Sequence, residues 1–128
     1  DYKGWQYSPL DQINSKNVDK LRVAWTHVMP RSVRGLQSMP LAVDGVVYYS
    51  GAYNQVFALD GASGEVLWQA ETAIPFNASN GVRGHGGAID VSGQVLADGW
   101  LYVQSGYSMF GQLPGNVLLA YRPGDAAR

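Results

Sequence analysis

The sequence predicts an all-β fold of short antiparallel strands, and three features carry that expectation. Sixteen glycines and eight tyrosines accompany 46% hydrophobic and 15% charged residues, a globular composition weighted toward strand formers and turn residues. Apolar runs are short and bounded by Gly, Asp, Asn or Ser, as in strands joined by tight turns. The chain also repeats itself. Val43-Asp44-Gly45-Val46-Val47-Tyr48-Tyr49-Ser50-Gly51 matches residues 97–106 once one residue is added to the second strand, and Gln55–Leu59 matches Val117–Tyr121. Repeats of this size, each a strand, turn, strand, loop and strand, predict blades of a β-propeller, with four antiparallel strands to a blade.

Taken in order, residues 1–20 form an amino-terminal extension in which Trp5 is expected to cover a blade edge. Residues 21–29 read as a leading blade strand D, with Leu21–Thr26 carrying Trp25. Residues 30–70 form the first blade unit. Its Asp44-Gly45 pair, like Asp98-Gly99 in the next unit, has the preferred chemistry of a short hairpin turn. In the turn from Asp60 to Gly64, Asp60 and Ser63 can bond turn amides through their side chains and Gly64 supplies a positive φ. That turn leads into a fourth strand at Glu65–Ala70, with Trp68 expected to lie flat on the neighbouring unit. Residues 71–128 form a second blade unit lacking its own fourth strand, because Arg122-Pro123-Gly124-Asp125 stands where the next turn would begin.

Closed propellers are commonly latched by an amino-terminal strand that completes the last blade, so that no sheet edge is left open. Two blades do not enclose a ring, and stacked repeats generally need three or more neighbours. The expectation is therefore a homo-oligomer, each copy lending Leu21–Thr26 to the next, or a segment of a larger propeller.

The formal charge of -1 is made of scattered acids and bases, which leaves no electrostatic footprint for nucleic acid or an anionic membrane. Without cysteine there is no disulfide, thiolate ligand or cysteine nucleophile. No stretch is long enough for a membrane span and no cleavable leader precedes Asp1, as in a mature exported protein. Gly84–Gly87 lacks the Lys-Ser/Thr ending and following helix of a phosphate loop.

The spacing A-x-D-x-x-[ST]-G-x-x-x-W from Ala58 to Trp68 resembles the tryptophan-docking motif of bacterial quinoprotein dehydrogenases. Tyr7-Ser8-Pro9-Leu10-Asp11-Gln12-Ile13-Asn14, Asn17-Val18, Leu21 and Ala24-Trp25 resemble the start of the mature quinoprotein alcohol dehydrogenases. Arg34-Gly35-Leu36-Gln37-Ser38-Met39-Pro40-Leu41 resembles that family's R-G-x-E-x-x-P-L, whose acidic residue contacts the quinone. From Trp68 onward the likeness shifts toward polyvinyl-alcohol dehydrogenases, through Asn80-Gly81-Val82, Gly86–Asp90, Ser105-Gly106-Tyr107 and Pro114–Ala120.

The resemblance implies a propeller holding pyrroloquinoline quinone and Ca²⁺ on its axis, in the periplasm or secreted. It implies oxidation of an alcohol, polymeric ones included, with hydride passing to the quinone and electrons to a cytochrome-type acceptor. Two departures from the family pattern are Gln37 at the acidic position and the lack of the adjacent cysteine pair found in many members.

Propeller geometry places the short turns on one rim and the longer connections on the other: Pro30–Gln37, Gly51–Asn54, Thr72–Gly86 and Gly106–Gly115. That second rim carries Arg31, Arg34, Gln37, Asn77, Asn80, Arg83, His85, Tyr107 and Phe110. On the resemblance, Arg34, Gln37, Asn80 and Arg83 are the candidate quinone contacts, since arginines make bidentate bonds to carboxylates. Asn77 and Asn80 are candidate Ca²⁺ ligands through oxygen. The bland reading is that these groups satisfy loop backbone and solvate a rim. Asp90 is the candidate base, although it follows Gly86-Gly87-Ala88-Ile89, which reads as an inner strand, and an aspartate there commonly bonds a turn. His85 is a candidate ligand or proton shuttle. The alternative function is a non-catalytic propeller module that binds a partner through the Gly106–Gly115 loop.

Overall fold

The computed structural model describes residues 9–29, 38–89 and 93–124. They form strands, turns and two single-turn 3-10 helices, with every ladder antiparallel. The first sheet takes its strands in sequence order: β1 (Leu41–Val43), β2 (Val46–Ser50), β3 (Gln55–Asp60) and β4 (Val66–Glu71). A hairpin of β5 (Pro75–Asn77) and β6 (Arg83–His85) comes next, and a second sheet holds β7 (Gln94–Ala97), β8 (Trp100–Ser105) and β9 (Val117–Tyr121).

The turn chemistry works as the residues suggest. Asp44 and Gly45 both have positive φ, 49° and 78°, as do Asp98 and Gly99, at 50° and 77°. Two successive positive values are what a right-twisted hairpin demands of a two-residue turn. The ladders then repeat: Val47 faces Leu59 as Leu101 faces Tyr121. The extra residue of the second unit makes no bulge, because the five-pair ladder is shifted by one toward the long connection and ends with Ser105 opposite Val117.

Two expectations are corrected. The stretch from Thr72 to Gly86 contains a hairpin rather than an open loop. Asn80 and Gly81 close it, the Asn80 Oδ1 accepting the Val82 amide at 3.2 Å and Gly81 taking a φ of 79°. Gly86–Ile89 forms no strand. Ala88 donates to the Leu113 carbonyl, and its own carbonyl accepts from Gly106 and Tyr107, so its backbone bonds go to a loop instead of a ladder.

The core is built around β3, buried on both faces from Val56 to Leu59. On one side Phe57 and Leu59 pack with Met29 and Tyr49, covered by Trp25 and Ala52. Tyr49 and Phe57 stack at 5.3 Å, His27 meets both rings edge-on, and burial raises the Tyr49 phenol pKa. On the other side Val56 joins Leu101 and Val103 of the second sheet, flanked by Tyr48, Trp68 and Tyr121. Residues 21–29 pair with no strand among the described residues. They are held by side chains. The Trp25 indole N–H donates to the Gly61 carbonyl at 3.1 Å, and its ring lies over Gly64, where a Cβ would stand 2.6 Å from the ring atoms. Trp68 packs against the second sheet, its ring 4.9 Å from that of Tyr121 with the planes at 68°.

Gly64 therefore meets two demands, a φ of 75° and the absence of a side chain under Trp25. Gly81 meets only the first, with open space around it. Gly64→Ala should cost about 3 kcal/mol and redden the tryptophan emission, against about 1 kcal/mol for Gly81→Ala, in denaturant unfolding. The same turn is sensitive to pH. The Ser63 backbone bond to Asp60, then the Ser63 side chain and the Ala62 amide, hold the Asp60 carboxyl below the usual carboxylate range. The unfolded chain protonates first as pH falls, so the stabilisation is complete above the ordinary aspartate range and fades below it. Asp60→Asn should flatten that part of the stability curve between about pH 5 and about pH 3 while lowering stability at neutral pH.

Candidate functional site

Hydrogen bonds sort the connections into two rims. The first β-turn of the first sheet meets the last one, with Gly61 N–H donating to Gly45 O at 2.7 Å. At the opposite ends of the same strands, Thr72 N–H donates to Asn54 O at 2.9 Å, joining the β2–β3 connection to the segment after β4. The second sheet repeats this on its long β8–β9 connection, where Asn116 N–H donates to His85 O and Ala88 N–H to Leu113 O. The candidate rim therefore gathers residues 51–54, 72–89 and 106–116.

Its floor is backbone packed on backbone. A Cβ on Gly86 would fall 1.6 Å from Thr72 O, and one on Gly87 2.3 Å from Leu113 O. A Cβ on Gly106 would fall 2.2 Å from the Gly115 carbonyl, and one on Gly115 2.5 Å from the Gly87 nitrogen. Only glycine allows such approach, and the peptide groups so buried need partners. Thr72 and Ser105 supply them. The Thr72 hydroxyl donates to Asn54 O at 2.8 Å, the Ser105 Oγ accepts the Gly87 amide at 2.9 Å, and the Ser105 hydroxyl reaches Thr72 Oγ1 at 2.9 Å. Thr72 is fully buried and Ser105 is 2% exposed. Gln94, also buried, spans the sheets by donating to Met39 O at 3.0 Å and Tyr48 O at 2.7 Å.

Around this floor the structure brings together some sequence-derived candidates. Asn77 and Arg83 face each other across β5 and β6, both exposed. Asn80 has spent its side-chain oxygen on the hairpin turn, which is the bland role for that residue. The His85 amide donates to Asn116 Oδ1 at 3.0 Å, and the ring Nδ1 contacts Gly86 O. A proton on Nδ1 serves that carbonyl and leaves Nε2 as an acceptor. Tyr107 and Phe110 approach at 6.4 Å in a loop that leaves Met109 74% and Phe110 80% exposed. Arg31, Arg34, Gln37 and Asp90 lie outside the described residues.

Sequence reasoning missed Asn116, Thr72, Ser105 and Gln94. Ser105 carried a signal, since it lies one residue beyond the place of Ser50 in the first repeat, and a hydroxyl at a strand end marks a backbone needing a donor or acceptor. For a metal the rim is poorly equipped: no group of three His, Cys, Asp or Glu side chains comes together among the described residues. With Asn80 committed to its turn, these residues do not furnish a Ca²⁺ site. Arg83 is the cation of the described rim and fits one carboxylate of an anionic ligand.

Removing the Ser105 hydroxyl strands the Gly87 amide in a buried place. Ser105→Ala should lose about 2 kcal/mol in thermal or denaturant unfolding and speed hydrogen exchange at Gly87.

Residues 1–97 match the family described as the β-propeller domain of glucose, ethanol and alcohol dehydrogenases that bears the label PQQ. The chain is 40% identical over 79 residues to the dehydrogenase subunit of a quinone alcohol dehydrogenase from Gluconobacter oxydans, covering 62% of this chain and 10% of that protein. It is 43% identical over 74 residues to the quinoprotein alcohol dehydrogenase PedH of Pseudomonas putida, covering 57% and 12%. A quinohemoprotein alcohol dehydrogenase of Comamonas testosteroni shares 36% over 103 residues, covering 80% and 14%. The chain thus spans about a tenth of the length of these relatives. Among solved structures, BamB from Moraxella catarrhalis aligns with a TM-score of 0.43 at 29% identity, over 64% of this chain and 25% of that one.

Proposed function

The chain belongs to the glucose, ethanol and alcohol dehydrogenase β-propeller family, and on that premise we propose that it provides blades of a propeller that binds pyrroloquinoline quinone and oxidises an alcohol. The observation that carries this reading is the match over residues 1–97 together with a rim whose backbone is packed tightly enough to hold side chains in fixed places. Bound quinone would supply the two-electron acceptor chemistry. The protein's part is to seat it. Arg83 offers a guanidinium to a quinone carboxylate, and Arg34 and Gln37 complete the contact set proposed from the family pattern. The His85 ring, fixed through Gly86 and with its amide held by Asn116, presents Nε2 as a proton acceptor at the same rim.

Ca²⁺ is assigned no role, since no three His, Cys, Asp or Glu side chains converge among the described residues. Asp90 stands as the proposed base on its sequence position alone. The wider reading places the protein in the periplasm or outside the cell, with an alcohol, including polymeric ones, as substrate and a cytochrome-type protein as electron acceptor. Among the described residues no helix is long and apolar enough to cross a membrane.

A second reading rests on the Met109 and Phe110 side chains, which the β8–β9 connection holds out to solvent. The Phe110 amide donates to Gln112 Oε1 at 2.8 Å, and Gly111 N–H reaches Ser108 O, so the tip is built rather than slack. Such a tip suits a non-catalytic module that grips a partner through its rim. Quinone titration separates the two. Binding with Arg34→Ala and Arg83→Ala each at least tenfold weaker, and Arg122→Ala unchanged, is expected of the cofactor reading, since a charge-assisted bond contributes about 1.5–3 kcal/mol. No binding at high micromolar quinone would overturn it in favour of the module.

A further inference from the structure

His85 ends β6 inside the run Gly84-His85-Gly86-Gly87, where it alone carries a side chain. The glycines on either side of it are required by close approaches. A Cβ on Gly84 would fall 2.6 Å from Val117 Cγ1 and 3.3 Å from Asn116 Oδ1, and one on Gly86 1.6 Å from Thr72 O. A Cβ on Gly115 would likewise stand 2.6 Å from His85 O. Asn116 then takes both polar groups of the His85 backbone. The His85 amide donates to Asn116 Oδ1 at 3.0 Å, and the Asn116 amide donates to His85 O at 3.0 Å. One residue thus answers both groups, its side-chain oxygen standing in for the carbonyl that a neighbouring strand would supply. Both residues are exposed, and water satisfies an exposed amide at little cost. What the Asn116 side chain adds here is direction rather than stability.

We infer that Asn116 is a positioning residue, which fixes the His85 backbone so that the neutral ring keeps its proton on Nδ1 and offers Nε2 as the acceptor. The ring Nδ1 contacts Gly86 O, the carbonyl of the very next residue, so that contact depends on the torsions between the two residues. A carbonyl only accepts, so Nδ1 carries the proton. A histidine surrounded by water favours the proton on Nε2 instead, and holding the other tautomer takes a constraint on the peptide. The two Asn116 bonds, with the contacts at Gly84 and Gly86, are that constraint. It comes from a different element: His85 belongs to the β5–β6 hairpin, and Asn116 stands just before β9 of the second sheet. The acceptor is therefore oriented only where the hairpin and the second sheet meet.

The catalytic meaning of this inference rests on the reading of His85 as the proton acceptor of the rim, but the tautomer belongs to the protein alone and is read without quinone. Nitrogen-15 NMR of the full chain distinguishes the two forms, and with two histidines in the sequence the His85→Gln variant assigns the signals. The neutral His85 ring should show a protonated Nδ1 and an unprotonated Nε2. Asn116→Ala should turn it to the Nε2–H form or an even mixture and speed exchange of the His85 amide about tenfold. Asn116→Asp, which keeps an oxygen acceptor, should keep the Nδ1–H form. Gly84→Ala, whose methyl would crowd Asn116 Oδ1 and Val117, should act as Asn116→Ala does, and it carries the test where that variant fails to fold. Gly64→Ala, which weakens a distant turn, should leave the ring signals as they are, so general loosening is told apart from lost positioning. An Nε2–H ring in the unaltered protein, or an Nδ1–H ring that persists in both Asn116→Ala and Gly84→Ala, would overturn the inference. Absence of quinone binding beside the expected tautomer pattern overturns the cofactor reading alone.

Discussion

The strand Gln55–Asp60 is buried on both faces, and a strand so placed dictates what must lie on either side of it. Val56 is fully covered by the second sheet, and Phe57 and Leu59, 3% and 1% exposed, are covered by residues 25–29. No sheet of this size can cover its own two faces. Each neighbour must therefore be present before the strand is stable, and the long connections that carry those neighbours are fixed in consequence. The tryptophan at position 25 and the glycine at 64 are the means on one side. The valines and leucines of β8 and β7 are the means on the other.

The candidate site lies where the chain keeps some freedom. The turn rim is occupied by short connections, the two-residue turns fixed by positive φ at Asp and Gly and the Asp60-to-Gly64 turn fixed by its side-chain bonds and the positive φ of Gly64, which leaves little to vary. The other rim receives every long connection, and these must cross close to one another near the sheets' ends. Glycine solves the crossing by removing side chains, and Thr72 and Ser105 then satisfy the peptide groups that become inaccessible to water. A rim assembled this way is stiff at its floor and free at its edge. Arg83 and the Met109-Phe110 tip extend from that floor.

The parts legible in the sequence are those where one residue type has one structural use. Asp44-Gly45 and Asp98-Gly99 announce their hairpins. The Asp60, Ser63 and Gly64 set announces its turn, and Trp25 announces a docking contact. The family is legible for a similar reason, since motifs with fixed spacing survive where composition does not. Legibility fails where a residue has several uses. Asn80 suits a metal, a quinone or a turn, and its sequence context does not show that its side-chain oxygen accepts the Val82 amide. Gly86–Ile89 has the apolar content of a strand but meets a loop that takes its hydrogen bonds. The hairpin of β5 and β6 is short, with a glycine in one strand, and its pairing owes more to the closing turn than to any alternation of side chains. Arg34, Gln37 and Asp90 remain sequence-based assignments.

The two tryptophans that occupy equivalent places show how much one turn controls. Trp25 finds Gly61 and Gly64 beneath it, donates its indole N–H and closes the gap. Trp68 meets the second unit where Arg122 and Pro123 replace Asp60 and Gly61, and its ring plane stands at 68° to that of Tyr121. A cleft of about 450 Å³ opens there, between the short turns of the two sheets, lined by Val43, Val46, Leu67, Trp68, Tyr121 and Pro123 among others. Burial, then the Glu71 charge, raises the Tyr121 phenol pKa beside it. At the opposite rim the same sheets are tied by Gln94 and by the Thr72–Ser105 bond. Polar contacts with few alternative partners hold one end, and loosely packed apolar surface holds the other. The angle between the sheets is therefore set at the candidate site, and any loosening of the pair begins at the turns, where the packing is incomplete.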